Sequence, residues 1–213
     1  MTNELNALLV LVLVINLVAL GTGRILALIR VAALQGALLG VLPFLVHQHV
    51  TFPAVLMAVV AIALKCIAIP AIMIRALRDA QIKRELEPLI GVLPSILLGA
   101  AATAFALLFS NQLPLTPQDA GSLLVPASMA TILTGFILLT TRFKALTQVV
   151  GYLVLENGIF IFGMLLIDAM PFVVEVGVLL DLFVGIFVIC IITNHINAAF
   201  SSMDTRRIVT LKE

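Results

Sequence analysis

The chain is poor in charge and in tryptophan, and each shortage excludes a class of protein. Charged residues make up only 11% of the 213 positions, against roughly a quarter in soluble domains, so a water-exposed globular fold is excluded. The formal net charge of +1 supplies no basic surface for nucleic acid. Tryptophan is absent, so an aromatic belt at a membrane surface would consist of phenylalanine and the single Tyr152.

Sequence patterns for catalysis and metal binding are also missing. Cys66 and Cys190 lie in apolar runs without a C-x-x-C or Cys/His spacing, which is typical of small packing residues. The sequence contains no phosphate-binding loop, no nucleophile constellation and no metal-ligand cluster. It therefore indicates no catalytic site in this chain and no cofactor bound by it.

Long apolar runs are what the sequence has in abundance. Hydrophobic residues account for 62% of the chain, and the mean hydropathy is +1.25. A membrane-spanning helix needs about 20 apolar residues, and these runs lack the period-two alternation of barrel strands. We therefore predict an all-α integral membrane protein with a single membrane domain over residues 1–213. Its seven predicted transmembrane helices are 5–22, 25–46, 52–77, 88–109, 121–141, 145–167 and 171–193.

Basic residues between these spans predict the orientation in the membrane. Eleven of the twelve lie in alternate loops or in the C-terminal tail. By the positive-inside rule, the N-terminus is then outside and the C-terminus cytoplasmic. The twelfth, Lys65, lies inside the third predicted span.

Apart from Arg30 and Arg75, which are counted above with the adjoining loops, four ionisable residues fall within the predicted spans: Lys65, Glu156, Glu175 and Asp181. Each is costly in lipid and is therefore a candidate for function. At about 1.5 Å per residue, Lys65, Glu156 and Asp181 lie roughly 15–20 Å from a span end, and Glu175 only about 6 Å. Burial favours a neutral carboxyl and a nearby cation favours a charged one. We predict a proton relay of these four groups, in which Lys65 controls the charge of Asp181 or Glu156.

A purely structural interpretation of the same residues stays open. Lys65 and Asp181 would then form an ion pair that locks helices together, and Glu175 would reach towards the outer headgroups. Backbone features accompany the charges on either interpretation. Pro70 is expected to kink the helix one turn beyond Lys65, and Gly151 and Gly158 are expected to let another helix approach closely, or to admit a few waters, beside Glu156.

A parallel internal repeat is a further hypothesis. Residues 28–45 can be aligned with residues 148–166, which places Gln35 opposite Glu156. The N-terminal four-helix part, 5–109, would then be a degenerate copy of the C-terminal part.

The last three predicted spans, 121–196, resemble the three-helix subunit K of respiratory complex I and its counterpart C in multisubunit Na⁺/H⁺ antiporters. That family carries a glutamate in a G-x-E-x-x-x-N context and another opening the last helix. The stretch VVEVGVLLDLF fits the second pattern and places its glutamate at Glu175. Gly151 and Asn157 match the flanks of the first, but the acid stands at Glu156, one helical turn later than the family's position.

The whole chain resembles the component E family of hydrogenase-4, a membrane subunit of formate hydrogenlyase-type [NiFe] hydrogenases. The stretch YLVLENGIF and the tail pattern D-x-x-R-I-x-x-L-K carry this resemblance. It implies a subunit of the bacterial inner membrane, packed beside other membrane subunits, that helps couple electron transfer to proton or Na⁺ movement. The NiFe centre and the iron–sulfur clusters would belong to partner subunits.

Three other functions stay open at the level of sequence. The chain could belong to a multisubunit cation/proton antiporter, or it could anchor a complex without moving ions. A stand-alone secondary transporter would need a polar substrate cavity, and a chain with so few polar side chains disfavours it. Among ions, H⁺ is favoured over Na⁺, because Na⁺ would need several oxygens in the central layer.

Overall fold

A computed structural model describes residues 2–46, 59, 62–79, 89–114 and 121–166. Within these residues every regular element is helical and no β-strand is present, so the predicted all-α class is confirmed there. The elements are α1 (Thr2–Gly21), α2 (Ile25–Val46), a π-helical segment (Ala63–Ala68) that continues into α3 (Ile69–Asp79), α4 (Val92–Ser110), α5 (Leu124–Thr141) and α6 (Ala145–Leu166).

Among the residues that the structure describes, five helices are long and apolar enough to cross a membrane: α1, α2, α4, α5 and α6. Their bounds follow five of the seven predicted spans to within a few residues. The third predicted span, 52–77, lies only partly within the described residues, and the seventh, 171–193, lies outside them.

Helix α5 lies at the centre of the described bundle. It packs against α1, α4 and α6, and its pairing with α6 is the most extensive contact between two elements. About two thirds of its span is buried (67%), compared with 17% for α4. Helix α4 is therefore peripheral, whereas α5 is central and packs against both α1 and α6.

Glycines bring α5 and α6 into backbone contact near Glu156. A Cβ added at Gly135 would lie 2.5 Å from the Leu155 backbone nitrogen, and one added at Gly158 would lie 2.6 Å from that of Ile132. A Cβ at Gly151 would lie 2.9 Å from a backbone nitrogen of α5. Real Cβ atoms are not found at such distances, so the close approach predicted at Gly151 and Gly158 is confirmed, and Gly135 completes it.

The helix carrying Lys65 is irregular just before Pro70. Pro70 has no N–H to donate to the preceding turn. Before it, residues Ala63–Ala68 form a wider π-helical turn, and the Ile69 N–H donates to the Leu64 carbonyl, five residues back. Single π turns inside α-helices are frequent at functional sites. The wider turn includes Lys65 itself, and the kink expected at Pro70 stays a prediction.

Candidate functional site

Lys65 and Glu156 form a buried ion pair between the π-helical segment and α6. The Lys65 Nζ lies 3.3 Å from the Glu156 Oε1, and the two side chains are only 16% and 7% exposed. Lys65 Nζ also lies 5.4 Å from the centre of the Phe160 ring, a cation–π distance. Because Phe160 follows Glu156 by one helical turn, both residues and Asn157 form one wall around the ammonium group.

Local packing explains why Lys65 can reach this position. A Cβ added at Gly36 of α2 would lie 3.2 Å from the Lys65 Cβ, so the lysine stem lies directly against the α2 backbone. A cavity of about 10 Å³ adjoins Lys65 and Asn157, with Pro70 and Met73 among its other walls. This volume is close to the smallest that holds one water molecule.

A chain of neutral side chains continues from the ion pair through three further helices. Lys65 Nζ donates to the Asn157 Oδ1 at 3.4 Å, and the Asn157 Nδ2 donates to the Gln35 Oε1 at 3.3 Å. The Gln35 Nε2 donates to the Asn16 Oδ1 at 2.8 Å, and the Asn16 Nδ2 donates to the Thr131 Oγ1, also at 2.8 Å. The Thr131 hydroxyl donates in turn to the Ala127 carbonyl at 2.7 Å. We call Thr131, Asn16, Gln35 and Asn157 the amide chain.

Every hydrogen bond of the amide chain runs in the same direction, away from Lys65. Each amide therefore turns its carbonyl oxygen towards the lysine and its NH₂ group away from it. The four side chains are between 0% and 3% exposed, and in such an environment aligned hydrogen bonds polarise one another. The arrangement places the negative end of each amide dipole towards a positive charge, which stabilises the ammonium group of Lys65.

The structure brings together two of the four predicted site residues. Lys65 is paired with Glu156, one of the two partners that the sequence proposes for it. Glu175 and Asp181 lie outside the described residues, as does the proposed Lys65–Asp181 pair. No three His, Cys, Asp or Glu side chains within the described ranges are close enough to hold a metal ion.

Sequence reasoning missed Asn16, Gln35 and Thr131, because it searched the spans for ionisable groups alone. Neutral amides in an apolar run are a weaker signal, yet Asn16 and Gln35 each stand in a predicted span among mostly aliphatic residues. The proposed repeat places Gln35 opposite Glu156. In the fold Gln35 bonds to Asn157, the next residue along α6.

Arg142 is the buried cation of the described residues, and it lies at a helix end. Its side chain is 1% exposed, and its Nη2 donates to the Leu20 carbonyl at 3.0 Å, near the end of α1. Carbonyls in the last turn of a helix have no partner within the helix and carry partial negative charge. Arg142 therefore caps α1 from the end of α5. Burial lowers the pKa of its guanidinium.

Comparison with known proteins gives one curated relative of similar length. The uncharacterized protein Rv0085 of Mycobacterium tuberculosis is 31% identical over 191 residues, which cover 88% of this chain and 86% of the mycobacterial one. No protein-family model matches the chain. No solved structure matches it either.

Proposed function

The chain belongs to one family with this mycobacterial protein, and we propose that it is a non-catalytic membrane-arm subunit of a membrane-bound [NiFe] hydrogenase or a related complex. Within that complex it contributes to proton translocation coupled to electron transfer. The proposal includes seven spans in a bacterial inner membrane, with the N-terminus outside and the C-terminus in the cytoplasm. The NiFe centre and the iron–sulfur clusters reside in partner subunits.

The buried Lys65–Glu156 pair is the observation that carries the proposal. A relay needs a group that gains and loses a proton inside the membrane, and a carboxylate beside an amine provides two such groups at 3.3 Å. A structural clamp needs only hydrogen bonds. The amide chain links α1, α2, α5 and α6 without any charge, so neutral side chains are enough to join helices at this depth.

The cost of the charges also favours a relay over a clamp. An ionised side chain at the centre of a membrane helix costs about 2.5–3.5 kcal/mol even on the lenient insertion scale. Glu156 lies near the middle of α6, about 15 Å from either end at the usual helical rise. A neutral amide at that position would provide the same packing at a lower cost, so titration is the property that distinguishes glutamate there.

The moving ion is H⁺ in this proposal, rather than Na⁺. The Glu156 Oε1 and the Asn157 Oδ1 both face the Lys65 ammonium group. A sodium ion on the same oxygens would meet a positive charge at a distance of a few ångströms, where repulsion is strong in a low-dielectric environment. A proton exchanged between Lys65, Glu156 and water adds no such repulsion.

Glu156→Gln in the native complex tests the relay. The substitution keeps the size and hydrogen-bonding capacity of the side chain but removes its titration. We expect normal assembly and a fall of about tenfold or more in protons moved per electron, measured in sealed vesicles. Glu4→Gln, which removes an exposed acid from the first turn of α1, is the matched control and should change neither quantity.

Three results would contradict the proposal, two at the level of the relay and one at the level of the complex. Normal assembly of Glu156→Gln with unchanged proton movement would reject the relay, and failed assembly would favour the clamp. Native purification of the chain with subunit identification tests the complex. Recovery of a homo-oligomer that transports a solute in liposomes, without hydrogenase or antiporter subunits, would overturn the assignment to a membrane arm.

A further inference from the structure

Asn16 and Gln35 are remote from the charges but are connected to them. The described hydrogen bonds of Gln35 join it to Asn157 and Asn16, and those of Asn16 join it to Gln35 and Thr131. Both amides are at most 1% exposed. The relay as proposed above uses only Lys65 and the carboxylates, so these two buried amides have no part in it so far.

We propose that Asn16, Gln35 and Thr131 are positioning residues that act through Asn157, holding its Oδ1 towards Lys65 and so keeping Lys65 in place as a cation. This inference rests on the proposed relay and extends it to three side chains that the described hydrogen bonds connect to the ion pair through Asn157. Thr131 is the anchor of the arrangement, because it forms the end farthest from Lys65.

The direction of each bond follows from the donors available. A lysine ammonium group has donors only, so Asn157 has to present its oxygen to Lys65, and its NH₂ group must find an acceptor on the other side. Gln35 supplies that acceptor and then needs one for its own NH₂ group, which Asn16 supplies. The requirement ends at Thr131, whose hydroxyl accepts from Asn16 and donates to a backbone carbonyl of α5.

Loss of the Thr131 hydroxyl should therefore be felt at Lys65. The Asn16 NH₂ group would then be buried without an acceptor, which is unfavourable. Rotation of the Asn16 amide by half a turn relieves that cost, but it turns the Asn16 NH₂ group towards the NH₂ group of Gln35. If Gln35 rotates in response, the same conflict between two donors passes to Asn157. The last amide in the series would turn its NH₂ group towards the ammonium group.

The experiment compares Thr131→Val with Thr134→Val in the whole complex. Thr134 lies on the same helix and is 1% exposed, and its hydroxyl has no hydrogen-bond partner in the described part of the chain. Both variants lose one buried hydroxyl from α5, but only the first loses a link of the amide chain. We expect Thr131→Val to move the alkaline limb of the pH profile of proton translocation to lower pH by about half a unit or more. Thr134→Val should leave the profile unchanged.

A thermal double-mutant cycle provides a second readout that does not depend on translocation. If the amide chain connects Thr131 to Lys65, the two substitutions Thr131→Val and Lys65→Met should not be additive. The loss of Tm in the double variant should differ by about 2 °C or more from the sum of the losses in the two single variants. Thr134→Val and Lys65→Met should add. Thr131→Ser, which keeps the hydroxyl, should behave as the natural protein in both readouts, and it separates loss of the bond from loss of the fold.

The outcomes separate this inference from the relay itself. Equal pH profiles and additive Tm changes for both valine variants would overturn the positioning role, even if Glu156→Gln lowers proton movement. A non-additive cycle with no translocation defect in Glu156→Gln would instead reject the relay and leave the connection between Thr131 and Lys65 intact. If Thr131→Ser shifts the pH profile as much as Thr131→Val does, the shift comes from misfolding and the proposal is overturned.

Discussion

Two cations of the described fold, the partly buried Lys65 and the buried Arg142, occupy opposite kinds of environment. Lys65 lies within its helix beside the Glu156 carboxylate, the Asn157 amide and the Phe160 ring. Arg142 lies just beyond α5 and donates to a backbone carbonyl of α1. The first group of contacts includes a second titratable side chain, whereas the second is a fixed charge against a helix end. The chemistry of the partner therefore distinguishes the two cations more than burial does.

The choice of residue fits each environment. Arginine remains protonated in proteins, and its planar group suits a carbonyl at a helix end. Lysine changes its protonation state readily when buried, which is the reason it serves in proton chemistry. The region around Lys65 should accordingly control proton movement, and the region around Arg142 should control stability.

Lys65→Met should give the largest effect, because it removes one partner of a buried ion pair and leaves the other. Loss of one partner typically costs about 3–5 kcal/mol, which for a chain of this size lowers Tm by about 6–20 °C. Proton movement per electron should also be lost. The measurements are thermal unfolding of the purified complex and proton uptake into sealed vesicles.

The double variant Lys65→Met/Glu156→Gln separates the two losses. With no uncompensated charge left, most of the lost Tm should return, while proton movement should remain absent. Recovery of both properties would show that the pair is dispensable for translocation, and the contrast with Arg142 would disappear.

Arg142→Leu should give a smaller effect, and on stability only. A hydrogen bond from a charged group contributes about 1.5–3 kcal/mol, so we expect Tm to fall by about 3–10 °C with an unchanged ratio of protons to electrons. Burial lowers the pKa of Arg142, so the folded state holds its proton less tightly than the unfolded state. Stability would rise with pH only on approach to that lowered pKa. Since arginine remains charged at ordinary pH, the loss of Tm should be the same at pH 6 and pH 8.

A change in the proton ratio of Arg142→Leu at unchanged Tm would contradict this division of roles. It would place Arg142 on the proton path and remove the distinction between the two regions. Arg142→Lys, which keeps the charge but not the planar group, should fall between the natural protein and the leucine variant in Tm.

Cysteine labelling should have the smallest effect on the protein. It determines which ends of the helices face the outside, and therefore on which side of the membrane Arg142 lies. Gly23 and Gly121 are exposed, and a Cβ at either would meet no atom within 4 Å. In a background with Cys66 and Cys190 replaced by alanine, we expect Gly121→Cys to react with an impermeant thiol reagent from outside. Gly23→Cys should react only after permeabilisation. The reverse pattern would place Arg142 on the outer side and reject the proposed orientation.

The sequence predicted five of the described helices and both members of the ion pair, though not their pairing, because long apolar runs and charges in lipid follow strong energetic rules. Apolar runs of helix length fixed α1, α2, α4, α5 and α6 to within a few residues. The high cost of charge in lipid singled out Lys65 and Glu156 before their contact was known. Which carboxylate pairs with Lys65 did not follow from depth, since Glu156 and Asp181 stand at similar depths. The contact with Glu156 depends on how α6 packs against α2 and the π-helical segment.

The amide chain could not be predicted, because its energy depends on several side chains at once. Asn16 and Thr131 are separated by 115 residues, and Gln35 and Asn157 by 122. Each amide alone is only moderately unfavourable in an apolar run, so none stands out. Arg142 presents the converse problem, since its position after an apolar run suggests an exposed loop cation and gives no sign that it caps α1.

The one-way order of the amide chain also has an evolutionary consequence. An apolar replacement at any single link leaves a neighbouring amide buried without a partner, and a partly satisfied polar network is less stable than an apolar core. Selection should therefore preserve the links together or release them together. We therefore expect substitutions among related proteins to affect all four residues of the amide chain or none of them, although these residues lie on four different helices.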